Sequence, residues 1–281
     1  MTVREAQAPD LVERLRRRIV DREAAPALLR KLRRRIIEVA ASAREGHVPS
    51  ALSILDIIWV LYDRVLNIDP AKPDDEGRDR FVLSKGHASI GLYAILADKR
   101  FFPAEALDGF CKFDSQFGGH PDSNKVPGVE ASTGSLGHGF PMAVGMAMGL
   151  RIRRMPARVF CLIGDGEANE GTVWESVLLA AHHRLSNLCC IVDYNHSTDR
   201  ALALGDIGAK FAAMGWIAVD VDGHDHEAIH DALVRRPDDA PMCIVARTIK
   251  GYGCPAMEND AAWHHRSPTA AELPELLDSL R

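Results

Sequence analysis

Three acidic residues follow an apolar run in the stretch CLIGDGEANEG. Asp165 stands between Gly164 and Gly166, and Glu167 and Glu170 follow within five residues. Glycine allows backbone N–H groups to approach a phosphate, and a helix N-terminus adds partial positive charge. An acid at that place would repel a phosphate unless a divalent cation lay between them. The stretch therefore has two interpretations, a metal–phosphate site or an acidic surface turn.

A second pair of candidate ligands follows in the stretch VDYNHST. Asp193 and Asn195 come directly after another apolar run, and Asn195 lies 30 residues beyond Asp165. Carboxylate and amide oxygens suit a hard cation. If both runs are neighbouring parallel strands, their carboxyl ends bring Asp165 and Asn195 close together, where α/β sheets bind ligands.

The elements that must position these residues form an α/β pattern. Short apolar runs rich in β-branched residues alternate with stretches long enough for helices, which predicts a parallel sheet with helices on both faces. The predicted strands are 80–84, 158–164, 188–193, 216–221 and 242–248, and the helical stretches between them include 137–154, 171–185 and 225–235.

Two helical segments carry further predictions. The segment Gly139–Leu150 is interpreted as a buried helix in which Gly145 and Gly149 permit close packing. The segment Pro26–Ala43 has apolar residues at helical spacing with five basic residues between them. Those basic residues form either a solvated face or a patch that meets a partner chain, and we favour the solvated face. They are Arg30, Lys31, Arg33, Arg34 and Arg35.

Composition limits the class of protein. With 281 residues, the chain can bury one large core, and a net charge of −5 gives no reason to expect binding to nucleic acid. The longest weakly polar run has 12 residues, whereas a membrane span requires about 20. No signal-peptide pattern opens the chain. The six cysteines include no C-x-x-C pair, so a reduced cytoplasm is the simplest setting.

Several histidine motifs occur together with GDG and DYN. They are EGHVPSALS, LSKGHASIGLYA, GGHPDSNKVPGVEASTGSLGHG and AWHH. In this order the motifs resemble the amino-terminal half of transketolase, a thiamin-diphosphate enzyme, and the match runs from about Ala41 to His265. The resemblance implies a thiamin-diphosphate-binding fold, with 1–281 as one diphosphate-binding domain that carries an N-terminal helical extension over 1–25.

The resemblance also implies roles for individual residues. Asp165 and Asn195 would bind Mg²⁺ or Ca²⁺ through side-chain oxygens, and Ser197 would add its backbone carbonyl. Three histidines would act near the reacting carbon or the sugar hydroxyls, namely His47, His120 and His264. The residues that would contact thiamin diphosphate are His87, Gly134, Leu136, Gly164, Asp165, Gly166, Glu170, Asn195 and His264.

Glu170 has two interpretations, because it is either an acid at a helix N-terminus or a contact to a partner subunit near the glutamate that activates the cofactor. Glu167 has only a structural one. His138 stands where the family usually has glutamine, and the proline in GHVPS comes one place later than in the common GHP form. Both departures concern the choice of sugar more than the chemistry.

The family resemblance implies a partner. A full transketolase continues into a pyrimidine-binding domain, which supplies the activating glutamate and most sugar-phosphate contacts, and no glutamate here matches that role by motif. The expected function is the amino-terminal subunit of a two-chain, α2β2 transketolase that transfers a two-carbon ketol unit between sugar phosphates. Two alternatives remain: part of a thiamin-diphosphate lyase or decarboxylase that acts on a 2-oxoacid, and a catalytically idle binding module.

Overall fold

In the computed structural model, which describes residues 8–199 and 202–281, five parallel strands form one sheet in the order β1-β2-β3-β5-β4. Every predicted strand is present to within one residue at each end, and all neighbouring strands are parallel. The strands are β1 (Arg80–Leu83), β2 (Val159–Gly164), β3 (Leu188–Tyr194), β4 (Ile217–Asp222) and β5 (Met242–Arg247).

Helices precede and connect the strands. The side chains of Asp206 and Asp225 cap the helices Ile207–Ala213 and His226–Leu233 by accepting N–H groups of the first turn. A π-helical turn, Leu61–Val65, continues α2. The helices are α1 (Ala8–Ala43), α2 (Val48–Val60), α3 (Ser89–Asp98), α4 (Gly139–Ile152), α5 (Gly171–His182), α6 (Ile207–Ala213), α7 (His226–Leu233) and α8 (Leu273–Asp278).

Both faces of the sheet are buried. Along β2, Phe160 and Leu162 belong to one apolar core, which includes residues of α1, α2, α3, α7 and α8. Cys161 and Ile163 point to the other core, which is covered by α4, α5 and α6. Since side chains alternate along a strand, a sheet covered on both faces requires continuous apolar runs, as these strands have. The predicted α/β architecture is confirmed.

The strand register brings the predicted ligands to one edge of the sheet. Gly164, the last residue of β2, pairs with Asp193 of β3, and Tyr194 pairs with Arg247 of β5. The residues that follow these strands therefore leave the sheet side by side. This edge contains the candidate site.

Two predictions about the helices are wrong in part. Arg33 is only 4% exposed and donates to Asp56 at 2.8 Å, so α1 does not present all five basic residues to solvent. Gly145 and Gly149 do not pack against the described chain, because a Cβ at either would meet no atom within 4 Å. α4 is thus buried on one face and open on the other.

The amino-terminal helix is long. The described part of α1 runs without interruption through Pro26, and the predicted separate extension over 1–25 stays a prediction, with residues 1–7 outside the described residues. No helix among the described residues, α1 included, combines the length and the apolar character that crossing a bilayer demands.

Candidate active site

A cavity of about 490 Å³ lies over the carboxyl ends of β1, β2 and β3. All but one of the residues predicted to bind the cofactor, the metal or the substrate line it. These are His47, His87, His120, Gly134, Leu136, Gly164, Asp165, Gly166, Asn195, Ser197 and His264. The tertiary structure thus brings together residues from widely separated segments of the chain.

Asp165 presents a buried carboxylate oxygen without a protein partner. Its Oδ1 accepts the Gly166 N–H at 2.8 Å, whereas its Oδ2 is buried and has no hydrogen-bond partner. Burial and the nearby charge of Asp193 raise the pKa of Asp165. An unpaired buried oxygen costs free energy, and a cation would remove that cost.

Asn195 is oriented by a buried hydrogen-bond network around Asp193. Asp193 Oδ2 accepts from Asn195 Nδ2 at 2.8 Å, from Ser53 Oγ at 2.8 Å and from Lys85 Nζ at 2.5 Å. Because the carboxylate only accepts, the amide oxygen of Asn195 must face the other way, where it accepts from the N–H and hydroxyl of Ser197. That oxygen already accepts two hydrogen bonds, so it would bind a hard cation once the Ser197 hydroxyl turns away.

No three His, Cys, Asp or Glu side chains in the described ranges are placed to hold a metal ion. The predicted set instead combines one carboxylate, one amide and one backbone carbonyl. Such oxygen ligands suit Mg²⁺, which keeps several waters and shares its coordination with phosphate oxygens. The residues present therefore fit a magnesium–diphosphate group better than a metal ion held by protein alone.

Glu167, to which the sequence assigns only a structural role, joins three loops of the site. The carboxylate is buried and accepts from Ser84 Oγ at 2.5 Å, from Gly137 N at 2.9 Å and from Gly164 N at 3.2 Å. Burial raises the pKa of Glu167 despite these hydrogen bonds. Glu167 fixes the Gly137 segment against the end of β2.

The loop after β1 approaches a second loop very closely at Gly86. A Cβ at Gly86 would lie 2.7 Å from Thr133 Oγ1 and 2.9 Å from the backbone nitrogen of Gly134. Thr133 Oγ1 also donates to the carbonyl of Leu83 at 2.7 Å. Only glycine allows this approach, which places His87 and Gly134 on neighbouring walls of the cavity.

Three imidazoles that line the cavity lie close together: those of His47 and His87, which are half-buried, and that of His264, which is more exposed. The ring centroids of His47 and His87 are 5.0 Å apart, and those of His47 and His264 are 5.7 Å apart. Burial lowers the pKa of His47 to about 4 and that of His87 to about 2, and it also lowers the pKa of His264. All three rings are therefore neutral near pH 7 and can each donate one hydrogen bond and accept one.

Lys85 and Lys250 also line the cavity, although neither is a predicted site residue and only Lys85 lies within a quoted motif, LSKGHASIGLYA. Lys250 Nζ donates to His264 Nδ1 at 2.7 Å and to Ser197 Oγ at 2.9 Å. The ring proton of His264 therefore lies on Nε2. Burial lowers the pKa of Lys250 to about 8. The available signal was position, since each lysine follows a predicted strand within three residues.

A second cavity of about 450 Å³ adjoins the first. The two share Asn195, Ser197, Lys250 and His264 as lining residues, so they lie next to each other. Glu170 and His138 line neither cavity and are exposed, although Glu170 Cβ closely approaches Gly137. The predicted cofactor contact of Glu170 is not made from this chain's cavity and stays a prediction that requires a partner surface.

The family model described as "Transketolase, thiamine diphosphate binding domain" matches residues 24–279. The chain belongs to the transketolase family. It is 47% identical over 203 residues to "Ferredoxin fas2" of Rhodococcoides fascians, covering 72% of this chain and 66% of that protein. It is 35% identical over 245 residues to a subunit of the apulose-4-phosphate transketolase of Phocaeicola vulgatus, covering 85% of this chain and 87% of that protein.

Solved structures agree with this transketolase assignment. The transketolase from Campylobacter jejuni superposes with a TM-score of 0.82 at 30% identity, covering 90% of this chain and 42% of that one. This transketolase-family chain therefore spans less than half of the solved enzyme. The family match includes all the segments that form the cavity, and the predicted amino-terminal, diphosphate-binding family assignment is confirmed.

Proposed function

We propose that this chain is the amino-terminal subunit of a two-chain transketolase, which transfers a two-carbon ketol unit from a ketose, in our proposal a sugar phosphate, to an aldose. One observation carries the proposal. The unpaired buried Oδ2 of Asp165 shares a cavity with the Asn195 amide and with the neutral imidazoles of His47, His87 and His264. This combination suits a metal-bound diphosphate beside a site of proton transfer.

The resident group in this proposal is thiamine diphosphate with Mg²⁺ or Ca²⁺. Asp165, Asn195 and the carbonyl of Ser197 would hold the cation, and Gly166 leaves space for phosphate, since a Cβ there would meet only Thr198, at 4.0 Å. Lys250 adds positive charge at neutral pH to the wall shared by both cavities. When bound, the cofactor supplies the carbon nucleophile that accepts the ketol unit.

The side chains of this chain would bind the sugar and move its protons. His47 can exchange protons with a substrate hydroxyl because its neutral ring both donates and accepts, whereas His264, whose Nδ1 accepts from Lys250, would donate its Nε2–H to that hydroxyl. His120 is exposed at the cavity mouth, where its ring packs against Gly134, and it would contact hydroxyls of the donor. Leu136 and Gly134 would support the pyrimidine part of the cofactor.

The proposal includes a partner subunit that carries the pyrimidine-binding domain. An apolar surface, which we call the α4–α5 face, supports this part. It consists of Met142, Gly145, Gly149, Ile152, Leu178 and Leu179. Because α4 and α5 pack against each other, we infer that these exposed apolar residues belong to one interface. The Phocaeicola vulgatus relative is named as one subunit of a transketolase for a sugar phosphate, which supports a two-part enzyme, and we propose an α2β2 assembly in the cytoplasm.

A reconstitution experiment tests the function. The partner is identified by mass spectrometry after affinity capture of this chain from its native host. Ketol transfer is then measured with thiamine diphosphate and Mg²⁺ for this chain alone, for the partner alone and for the mixture. Parallel assays use a ketose phosphate, an unphosphorylated ketose and a 2-oxoacid as donors.

We expect transfer only with the mixture and a ketose donor. Turnover by this chain alone at the rate of the mixture would contradict the two-chain proposal, and Glu170 would then be the first carboxylate to mutate. Carbon dioxide release from the 2-oxoacid without ketol transfer from either ketose would instead favour a role in a decarboxylase.

A further inference from the structure

Two residues at the cavity mouth have no role in the function proposed above. Glu45 lies in the connection between α1 and α2, and His265 follows the short helical turn Ala261–Trp263. His265 Nε2 and Glu45 Oε1 are 3.0 Å apart, and the two side chains are 60% and 44% exposed. The two residues are 220 positions apart in the sequence, so the pair links the α1–α2 connection to the segment that follows Trp263.

The backbone holds Glu45 in a defined position. α1 ends at Ala43, and the chain reverses through Arg44 (φ 55°) and Gly46 (φ 117°). Glu45 Oε1 accepts a second hydrogen bond from the Gly46 N–H at 3.1 Å. A Cβ at Gly46 would lie 3.4 Å from the Phe110 ring, so the turn is packed as well as bent. The N–H of Gly46 and the imidazole of His265 lower the pKa of Glu45.

His265 lies against the ring of His47. Their centroids are 4.4 Å apart with an interplanar angle of 29°, which is a stacked arrangement. His47 lies in turn 5.0 Å from His87. The three rings form a row from the mouth inward, in the order His265, His47, His87. One face of His47 is consequently covered by His265, which is itself held by Glu45.

We propose that Glu45 and His265 are positioning residues for His47, with Glu45 anchoring His265 and His265 covering the outer face of the His47 ring. The cover restricts water and substrate to the uncovered part of the ring. The catalytic consequence rests on the proposed function, since it requires His47 to act on the substrate. The covering itself does not depend on any activity.

The cover also helps to keep His47 neutral. The titratable groups that face His47 are Glu45, His87, His120, His264 and His265. Burial is the largest cause of the low pKa of His47, and the charged forms of His265, His264 and His120 lower it further, while Glu45 raises it. Removing the His265 ring would expose His47 and remove one repulsion, and both changes raise its pKa.

Chemical modification of the full chain tests the covering directly. Diethyl pyrocarbonate acylates neutral imidazole, and His47 is neutral at pH 7 with or without Glu45, so the rate reports access. Peptide mass spectrometry measures acylation of His47 in the wild type and in His265→Ala, Glu45→Ala and Glu45→Gln. We expect several-fold faster acylation in His265→Ala and Glu45→Ala, and a rate near wild type in Glu45→Gln, which keeps an acceptor.

Three controls separate access from unfolding and from chance. Exposed His138, which lines neither cavity, is the internal reference, buried His230 reports loss of the fold, and His183→Ala is a matched variant at a distant helix end. Equal acylation of His47 in all variants, with His230 still slow, would overturn the proposal. Wild-type rates in Glu45→Ala would refute the anchoring role of Glu45.

A second measurement uses the assembled enzyme. In His265→Ala we expect the acid limb of kcat/KM to move to higher pH, because protonated His47 cannot accept a proton and its pKa rises from about 4 toward its usual value. An unmoved acid limb would overturn the positioning role. If the wild-type assembly lacks ketol transfer altogether, the proposed function fails, and the acylation rates still decide the covering.

Discussion

Asn195 Nδ2 donates to Asp193 Oδ2 at 2.8 Å, and this single hydrogen bond decides which end of the Asn195 amide faces the cavity. Asp193 is fully buried and receives Lys85 Nζ on the same oxygen, while Thr248 Oγ1 donates to its other oxygen. Burial raises the pKa of Asp193, but the charge and hydrogen bond of Lys85 and the hydrogen bonds from Thr248 and Ser53 together lower it overall. The ligand oxygen of Asn195 thus depends on an acid behind it.

We therefore predict that Asp193→Ala destabilises the chain. Removing one partner of a buried ion pair leaves Lys85 uncompensated, at a cost of about 3–5 kcal/mol. Denaturant unfolding of the full chain measures the loss. Asp220→Ala is the matched control, because Asp220 pairs with Arg247 on an exposed strand and its loss should cost about 1 kcal/mol or less. Equal losses in the two variants would contradict the prediction.

The substitution Asp165→Asn should weaken metal binding without lowering the stability of the metal-free chain. Since burial and Asp193 raise the pKa of Asp165, its charge destabilises the metal-free fold near neutral pH, and removing that charge should leave stability unchanged or slightly higher. Thiamine diphosphate binding by the assembled enzyme should nevertheless require far more Mg²⁺. Calorimetric titration of the cofactor at several Mg²⁺ concentrations checks this, and an unchanged affinity would exclude the metal role of Asp165.

His120 should affect binding of the donor sugar, whereas His87 should affect binding of the cofactor. His120→Ala removes an exposed ring at the mouth, so the donor KM should rise by about tenfold, equivalent to about 1.4 kcal/mol, with cofactor affinity nearly intact. His87→Ala should weaken cofactor binding instead. Steady-state kinetics and cofactor titration of both assembled variants distinguish the roles, and identical behaviour would show the assignment to be wrong.

A second buried acid, Asp56, should make the fold sensitive to acid. Burial raises the pKa of Asp56, but hydrogen bonds to His224 and His226 and the charge of Arg33 bring it well below its usual value. A carboxyl whose folded-state pKa is depressed stabilises the protein above its unfolded pKa, and that stability is lost as pH falls through the acid range toward the folded value.

The measurement is the free energy of unfolding against pH for the wild type and Asp56→Asn. Near pH 7 the free energy of unfolding of Asp56→Asn should be lower than that of the wild type by about 3 kcal/mol or more, because Arg33 loses a buried partner. The unfolded pKa of an aspartate is near pH 4, and below it the two curves should converge as the pH falls. Parallel curves across the whole range would contradict the prediction.

The α4–α5 face predicts association of the isolated chain. Leu178 and Leu179 are exposed on α5, and Met142 and Ile152 are exposed on α4. Without its partner, the chain should self-associate in a concentration-dependent way, and Leu178→Lys should reduce this association without unfolding the domain. Sedimentation velocity of both proteins, with and without the partner, measures the effect. A monodisperse monomer in the wild type would contradict the interface.

The sequence by itself determined the parallel α/β fold and eleven of the sixteen residues that line the cavity. Continuous apolar runs indicate strands that are buried on both faces of a sheet. In such strands no side chain faces solvent, so apolar and polar residues do not alternate. The sequence also predicts Asp165, between two glycines, and Asn195, after the next apolar run, as candidate ligands. The reason is that sheet geometry brings the ends of adjacent parallel strands together. Ordered histidine motifs then identified the family.

Only the tertiary structure decided what surrounds those residues. Three contacts at the site join positions that are distant in sequence. They are the hydrogen bond from Ser84 to buried Glu167, the ion pair of Lys85 with Asp193 and the stacking of His265 on His47. No local pattern encodes such contacts, because a carboxylate before a helix has the same spacing whether it faces water or a neighbouring loop. Burial and partners, which set pKa values and side-chain orientation, arise only when separate segments pack together.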